Sequence, residues 1–157
     1  MKELLITGAW RCGEQQVQAL EQMGYAVTFW PDERQAVNMD TQRFEAVICG
    51  GLFLTTPIER FPALKCIQVT SAGLDRVPLD YCKAHGITVY NAGGVYSAPM
   101  AEFVLGGILQ LYKESKFFAE NQAAHRWEKH RGLRELSGKT ACIIGTGSVG
   151  SAIALFI

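Results

Sequence analysis

The sequence predicts an α/β fold: an open, doubly wound parallel sheet, followed by a long helix and one further βα unit. Three observations carry that reading. Five short apolar runs recur between residues 4 and 90, helical or turn-marked segments separate them, and a sixth run leads directly into a glycine-rich turn at residue 145. Several of the runs are continuous rather than alternating, the pattern of strands covered on both faces.

Residues 4–6 read as the first buried strand. Residues 13–23 place Val17, Leu20 and Met23 on one helical face before Gly24 stops the helix. The second strand spans residues 26–30, and the runs at 46–49 and 66–69 are the third and fourth. Residues 78–85 form a short helix ended by Gly86, and residues 88–90 the fifth strand. Ligands of such sheets sit outside the carboxyl ends of the strands, so the loops after each strand are the informative ones.

Ser97 can cap the next helix, and Pro99 falls in its first turn, where a missing N–H costs nothing. Met100, Val104, Ile108, Leu111 and Phe118 continue the apolar pattern, giving one long helix over about 97–124 that is apolar on more than one side. Gly106 and Gly107 each cost about 1 kcal/mol against alanine, a cost accepted where another backbone comes close. Such a helix is expected to bridge domains or to meet a second subunit as a homodimer. Residues 128–136, EKHRGLREL, read as a polar linker. The expected division is 1–96 for the sheet domain and 97–157 for helix, linker and final βα unit.

Composition narrows the function classes. Hydrophobic residues make up 48% of the chain and charged residues 19%, the balance of a globular domain rather than a disordered one. Net charge is zero and no basic run exceeds two residues, which excludes a nucleic-acid backbone as main partner. The opening MKELLITGAW has only a three-residue apolar run, and MAEFVLGGILQLY is short and interrupted by Glu102. Neither an export signal nor a membrane span is expected, and a cytoplasmic protein is. Cys12, Cys49, Cys66, Cys82 and Cys142 are odd in number and show no CxxC spacing, so they read as reduced packing residues and no metal site is expected.

The strand-like residues 140–144 run into Gly145-Thr146-Gly147-Ser148-Val149-Gly150, with a helical pattern beyond. A bare GxGxxG says little, but a strand before it and a helix after it are the context a dinucleotide fingerprint requires. The first glycine permits the tight turn, the second admits a pyrophosphate against the backbone, and the third lets helix and strand pack closely. The helix start then offers unpaired N–H groups to phosphate. A tight βα turn without ligand is the competing reading.

The run GKTACIIGTGSVGSAIA, with Trp127 and Leu136 before it, resembles the entry to the cofactor domain of the D-isomer-specific 2-hydroxyacid dehydrogenases. CIQVTSAGLDRVPL resembles that family's strand and loop before its substrate pocket, and GITVYNAGGVYSAPMAEFVLGGIL its strand, loop and interdomain helix. The resemblance implies a flavodoxin-like domain, an interdomain helix and a Rossmann domain truncated after its first βα unit. It implies hydride transfer between NAD or NADP and a small 2-hydroxy or 2-oxo acid. Backbone N–H groups of Ser71, Ala72, Gly73 and Leu74 would hold the substrate carboxylate, Asn91 would border the pocket, and Gly145 to Gly150 would hold the cofactor. An anion held by backbone nitrogens needs no basic side chain. Gly93 stands where the family commonly has proline, and turn capping is the competing role for Asn91 and Asp75.

The same resemblance places the family's catalytic arginine, carboxylate and histidine well beyond the glycine turn, and only seven residues follow Gly150. No catalytic residue is therefore expected among these 157, and the ribose-binding acid that separates NAD from NADP also falls outside them. His85, His125 and His130 match no catalytic motif and have no predicted orienting partner. Val149, Ile153, Leu155 and Phe156 would need cover from elsewhere. Two other readings stay open: a non-enzymatic module that binds small acids or oligomerises, and a flavodoxin binding flavin mononucleotide. The loop after the first strand lacks the hydroxyl-rich run the latter needs.

Overall fold

The computed structural model describes all residues, 1–157. It divides into two compact units, Met1–Gly93 and Gly94–Ile157. No helix is long and apolar enough to cross a membrane.

The first unit is built on five strands: β1 (Lys2–Thr7), β2 (Tyr25–Trp30), β3 (Ala46–Cys49), β4 (Cys66–Val69) and β5 (Thr88–Tyr90). All pair in parallel in the order β2-β1-β3-β4-β5, the flavodoxin-like arrangement. β1 is the pivot, with Ile6 opposite Phe29 on one side and Ile48 on the other. The chain winds outward from β1 to β2, then crosses back to β3 and onward, so the winding reverses between β1 and β3.

Strand period two sorts the core into two layers. Leu5, Val47, Cys49, Ile67 and Val69 pack against Val37, Phe44, Leu52, Ile58, Phe61, Leu64, Val77, Cys82 and Ile87. Leu4, Ile6 and Ala46 turn the other way, against Trp10, Leu20, Val27, Ile48 and Cys66. The first layer is covered without a long helix. Helix α2 (Leu79–Ala84), two single 3-10 turns (Leu52–Leu54 and Ile58–Arg60) and the irregular residues 31–45 do the covering. Side chains replace regular hydrogen bonds there: Val37 N–H donates to Thr56 Oγ1 at 3.0 Å and Arg60 Nη1 to the Val37 carbonyl at 2.7 Å. On the opposite layer α1 (Glu14–Gln22) contributes Leu20 and half-buries Val17. Met23 departs from its expected place on that face. It lies just past the last helical turn and is 73% exposed.

The second unit corrects two expectations. The single helix over 97–124 is two helices, α3 (Ser97–Tyr112) and α4 (Ser115–Ala123). Glu114 between them is left-handed, φ 47°, a conformation a non-glycine residue holds only when its surroundings fix it. They do so here: Arg134 N–H donates to the Tyr112 carbonyl at 3.2 Å, Lys113 Nζ to the Arg134 carbonyl at 2.8 Å, and His130 Nε2 lies 2.9 Å from Glu114 Oε2. The supposed linker thus folds back on the helix end and breaks it. The second correction is at residues 140–144, which form no strand. A strand exists only as part of a ladder, and no other extended segment in this unit pairs with them. Helix α5 (Ser148–Phe156) does form and packs against α3, half-burying Val149 and Ile153 while Leu155 stays 88% exposed.

The two-layer core makes a direct prediction. Phe44 is fully buried, so Phe44→Ala is expected to lower urea-denaturation stability of the first unit by about 3–5 kcal/mol. Met23→Ala should change it by less than about 0.5 kcal/mol.

Candidate functional site

Because every strand of the sheet is parallel, the carboxyl ends of β1, β3, β4 and β5 open along one edge. Two neighbouring loops there belong to the residues singled out from the sequence, 71–74 after β4 and 91–93 after β5.

Residues 71–74 turn sharply away from the strand end. Ser71 Oγ donates to the Gly73 carbonyl at 2.9 Å, and the Ser71 carbonyl accepts from Ala92 N–H at 2.9 Å. Asn91 braces the pair of loops with both ends of its amide. Its Nδ2 donates to the Ala72 carbonyl at 2.7 Å, and its Oδ1 accepts from Gly93 N–H at 3.1 Å. With these carbonyls engaged, the N–H groups of Ala72, Gly73 and Leu74 donate to no carbonyl of the chain. Ala72 and Gly73 are exposed and Leu74 half-buried against the core. Asp75 lies close enough that a side chain on Gly73 would meet Oδ1 at 2.8 Å. The arrangement can hold a small anion by neutral donors.

The glycine turn lies in the second unit. Gly145 has φ 103°, which bends the chain into the turn, and Gly147 is the extended residue before α5. A Cβ on Gly150 would stand 1.9 Å from the Gly145 carbonyl oxygen, so only glycine closes this turn. No side chain caps the first turn of α5, and no acidic residue stands in it. Ser151 instead reaches back, its Oγ donating to the Thr146 carbonyl at 3.2 Å. Gly145, Thr146, Gly147 and Ser148 are exposed, Val149 and Gly150 are half-buried, and the first-turn N–H groups of α5 have no side-chain cap, the kind of donor set that phosphates use.

The three histidines have other engagements. His85 stacks on Tyr81 with centroids 3.8 Å apart, and its Nδ1 lies 2.9 Å from the Tyr81 carbonyl. His125 is the left-handed residue that closes α4. His130 pairs with Glu114 and sits 4.6 Å from the Phe117 ring.

One group the sequence reading passed over is Glu33. It lies in PDER, a stretch that looks like plain polar loop, yet its carboxylate enters the crevice between the ends of β1 and β3. The visible signals were Thr7 ending one apolar strand and the Gly50-Gly51 pair directly after another. The negative charge of Glu33 reinforces burial at Cys49, whose thiol is pushed up to about 12, and burial alone raises Cys66 and Cys82.

The family model for the catalytic domain of the D-isomer specific 2-hydroxyacid dehydrogenases matches residues 5–149. The chain belongs to that family. A glyoxylate/hydroxypyruvate reductase of Arabidopsis thaliana is 30% identical over 112 residues, covering 69% of this chain and 35% of the relative. The glycerate dehydrogenase of Hyphomicrobium methylovorum is 37% identical over 102 residues, 62% of this chain and 32% of the relative. The fold matches D-lactate dehydrogenase from Aquifex aeolicus, solved with NAD and lactic acid, with a TM-score of 0.77 at 24% identity over 98% of this chain and 47% of that one. It also matches an NADPH-dependent glyoxylate/hydroxypyruvate reductase from Sinorhizobium meliloti, solved with NADP and malonate, with a TM-score of 0.72 at 23% identity over 99% and 49%. The chain spans about half the length of these solved relatives or less.

Cys49 is 1% exposed and its thiol is protonated throughout the neutral range. At pH 8 a thiol reagent is expected to modify the exposed Cys142 of the native protein and to reach Cys49 only after denaturation. Mass spectrometry of the labelled peptides reads the difference.

Proposed function

We propose that this chain is the N-terminal part of an NAD(P)-dependent 2-hydroxyacid dehydrogenase, carrying the loop that seats the acid and the turn that seats the cofactor's diphosphate. The observation that carries the reading is the row of N–H groups at Ala72, Gly73 and Leu74, free of internal acceptors and held in shape by Asn91. A carboxylate bridging two of them is fixed at one end, leaving its 2-oxo group pointing in one direction. Neutral donors suit that task because the anion leaves without breaking an ion pair. Asn91 is the positioning residue, since its amide determines where the Ala72 carbonyl points and hence where the following N–H groups point.

Gly145 to Gly150 would receive the diphosphate on the first turn of α5, with Ser148 and Val149 supplying backbone N–H groups and Thr146 lining the approach. The nicotinamide supplies hydride when bound. A proton donor and a cation for the substrate oxygen are also required. Arg, Glu and His in those roles are not among these residues, so Met1–Ile157 alone is proposed to be inactive. The alternative, a non-enzymatic acid-binding or oligomerising module, keeps the same loop and gives no turnover in any context.

The test is a chimera joining residues 1–157 to the remaining part of a glyoxylate/hydroxypyruvate reductase. Residues 1–157 alone should leave NADH and NADPH absorbance at 340 nm unchanged with glyoxylate or hydroxypyruvate, while the chimera consumes one of them. Asn91→Ala in the chimera should raise KM about tenfold or more with a smaller effect on kcat, the loss of about 1.4 kcal/mol of substrate binding. A folded chimera that binds dinucleotide yet reduces neither acid supports the non-enzymatic module instead.

Self-association through α3 and α4 belongs to the same proposal. Phe103 is 83% and Leu111 72% exposed, an apolar surface that a second copy of the chain would cover. Light scattering is expected to give twice the chain mass, and Phe103→Asp to shift it to the single-chain mass. A monomer at high concentration would contradict it.

A further inference from the structure

The winding of the sheet reverses between β1 and β3, and flavodoxin-like sheets place their ligands at that point. In this protein the crevice contains a carboxylate of its own. Thr7, wholly buried at the end of β1, donates its hydroxyl to Glu33 Oε2 at 2.7 Å. Gly50 N–H donates to the same oxygen at 3.0 Å, and Gly51 N–H to Oε1. Thr55 Oγ1 donates to the Glu33 backbone carbonyl at 2.7 Å, fixing the residue from behind. No lysine, arginine or histidine forms an ion pair with Glu33, so neutral donors hold the whole charge. The fit is close around the headgroup: a Cβ on Gly50 would lie 2.9 Å from Oε1, 3.1 Å from Ala9 Cβ and 3.3 Å from Thr70 Oγ1.

Two successive backbone N–H groups and a buried hydroxyl converging on one carboxylate are the elements of an anion site. Its occupant arrives on a tether from the loop after β2. We propose that the β1/β3 crevice is a carboxylate-binding site whose resident ligand is Glu33, and that a chain lacking this side chain binds a free small monocarboxylate, formate or acetate, there. Glu33 thereby fills the position an external phosphate would need and repels it by charge. It also fastens the loop after β2 to the ends of β1 and β3. The claim stands whether or not the chain serves a dehydrogenase.

The full chain tests it by chemical rescue. Glu33→Ala is expected to lower the Tm by about 5 °C or more, the size expected when charge-assisted hydrogen bonds are lost from a domain of this length. Formate should restore at least half of that shift in a saturable manner, acetate at least as much because its methyl group takes the place of the deleted Glu33 Cγ, and chloride at equal ionic strength none. Glu33→Gln, which keeps the crevice filled, should show no saturable response to formate. A Glu33→Ala protein as stable as the parent would overturn the proposal, and so would formate acting no better than chloride or equally on the parent. If Glu33→Ala does not fold alone, refolding from urea in formate against chloride decides: recovery in formate only supports the site, and equal failure in both overturns it.

Discussion

The pairing of β1 with strands on both sides is the constraint from which the rest of the first unit follows. Leu4, Leu5, Ile6 and Thr7 are all buried, so β1 has no solvent face and each face of the sheet must be covered by its own packing layer. Parallel pairing also aligns the carboxyl ends. That alignment brings Thr7, Gly50 and the loop beginning at Ser71 to one edge although they are far apart in sequence. It also gathers at that edge the N–H groups that the ladder no longer uses. Backbone N–H groups gathered in this way are neutral donors suited to an anion.

What was legible in the sequence divides along the same physical line. Strands β3, β4 and β5 are legible residue for residue, because short apolar runs bounded by turn residues leave little freedom in where a buried strand begins and ends. The position of residues 71–74 directly after β4 is legible for the same reason, and so is the turn at Gly145. The bracing of the 71–74 loop by Asn91 is not, since it joins residues nineteen apart through a backbone carbonyl. Glu33 was invisible for a related reason. A glutamate in a polar loop carries no local mark of being clamped, and its partners come from two strands that only the sheet order makes neighbours. The break at Glu114 likewise depends on Arg134 and His130 folding back, whereas the apolar pattern of residues 97–124 runs through it without interruption.

The second unit separates local from nonlocal coding cleanly. Gly145 takes a positive φ, Gly150 comes within reach of the Gly145 carbonyl, and α5 begins where the fingerprint places it, yet residues 140–144 just before form no strand. The turn and helix are closed by bonds among residues within five of one another, such as Ser151 to Gly147 and to Thr146. A strand has no such internal bonds and takes its identity from a neighbour. A glycine fingerprint can therefore persist in shape without the sheet that usually precedes it, so its presence speaks to the diphosphate-shaped loop and not to a completed dinucleotide domain.

The two carboxylate positions proposed for the first unit differ in one respect that decides what each can do. At the β1/β3 crevice the donors are already satisfied by Glu33, and the effective concentration of a tethered group keeps a free acid out. At residues 72–74 the N–H groups donate to no carbonyl of the chain, and Asn91 uses its amide on the Ala72 carbonyl and Gly93 N–H. N–H groups such as those of the exposed Ala72 and Gly73 can be satisfied by water at little cost, and water is readily exchanged for an anion. One crevice is thus filled by its own chain, whereas the loop beside it keeps donors that no group of the chain occupies. Thr70 connects the two, its N–H donating to the Cys49 carbonyl at 2.9 Å while it leads into Ser71. Whatever holds Gly50 and Gly51 in place therefore also sets where the open loop starts.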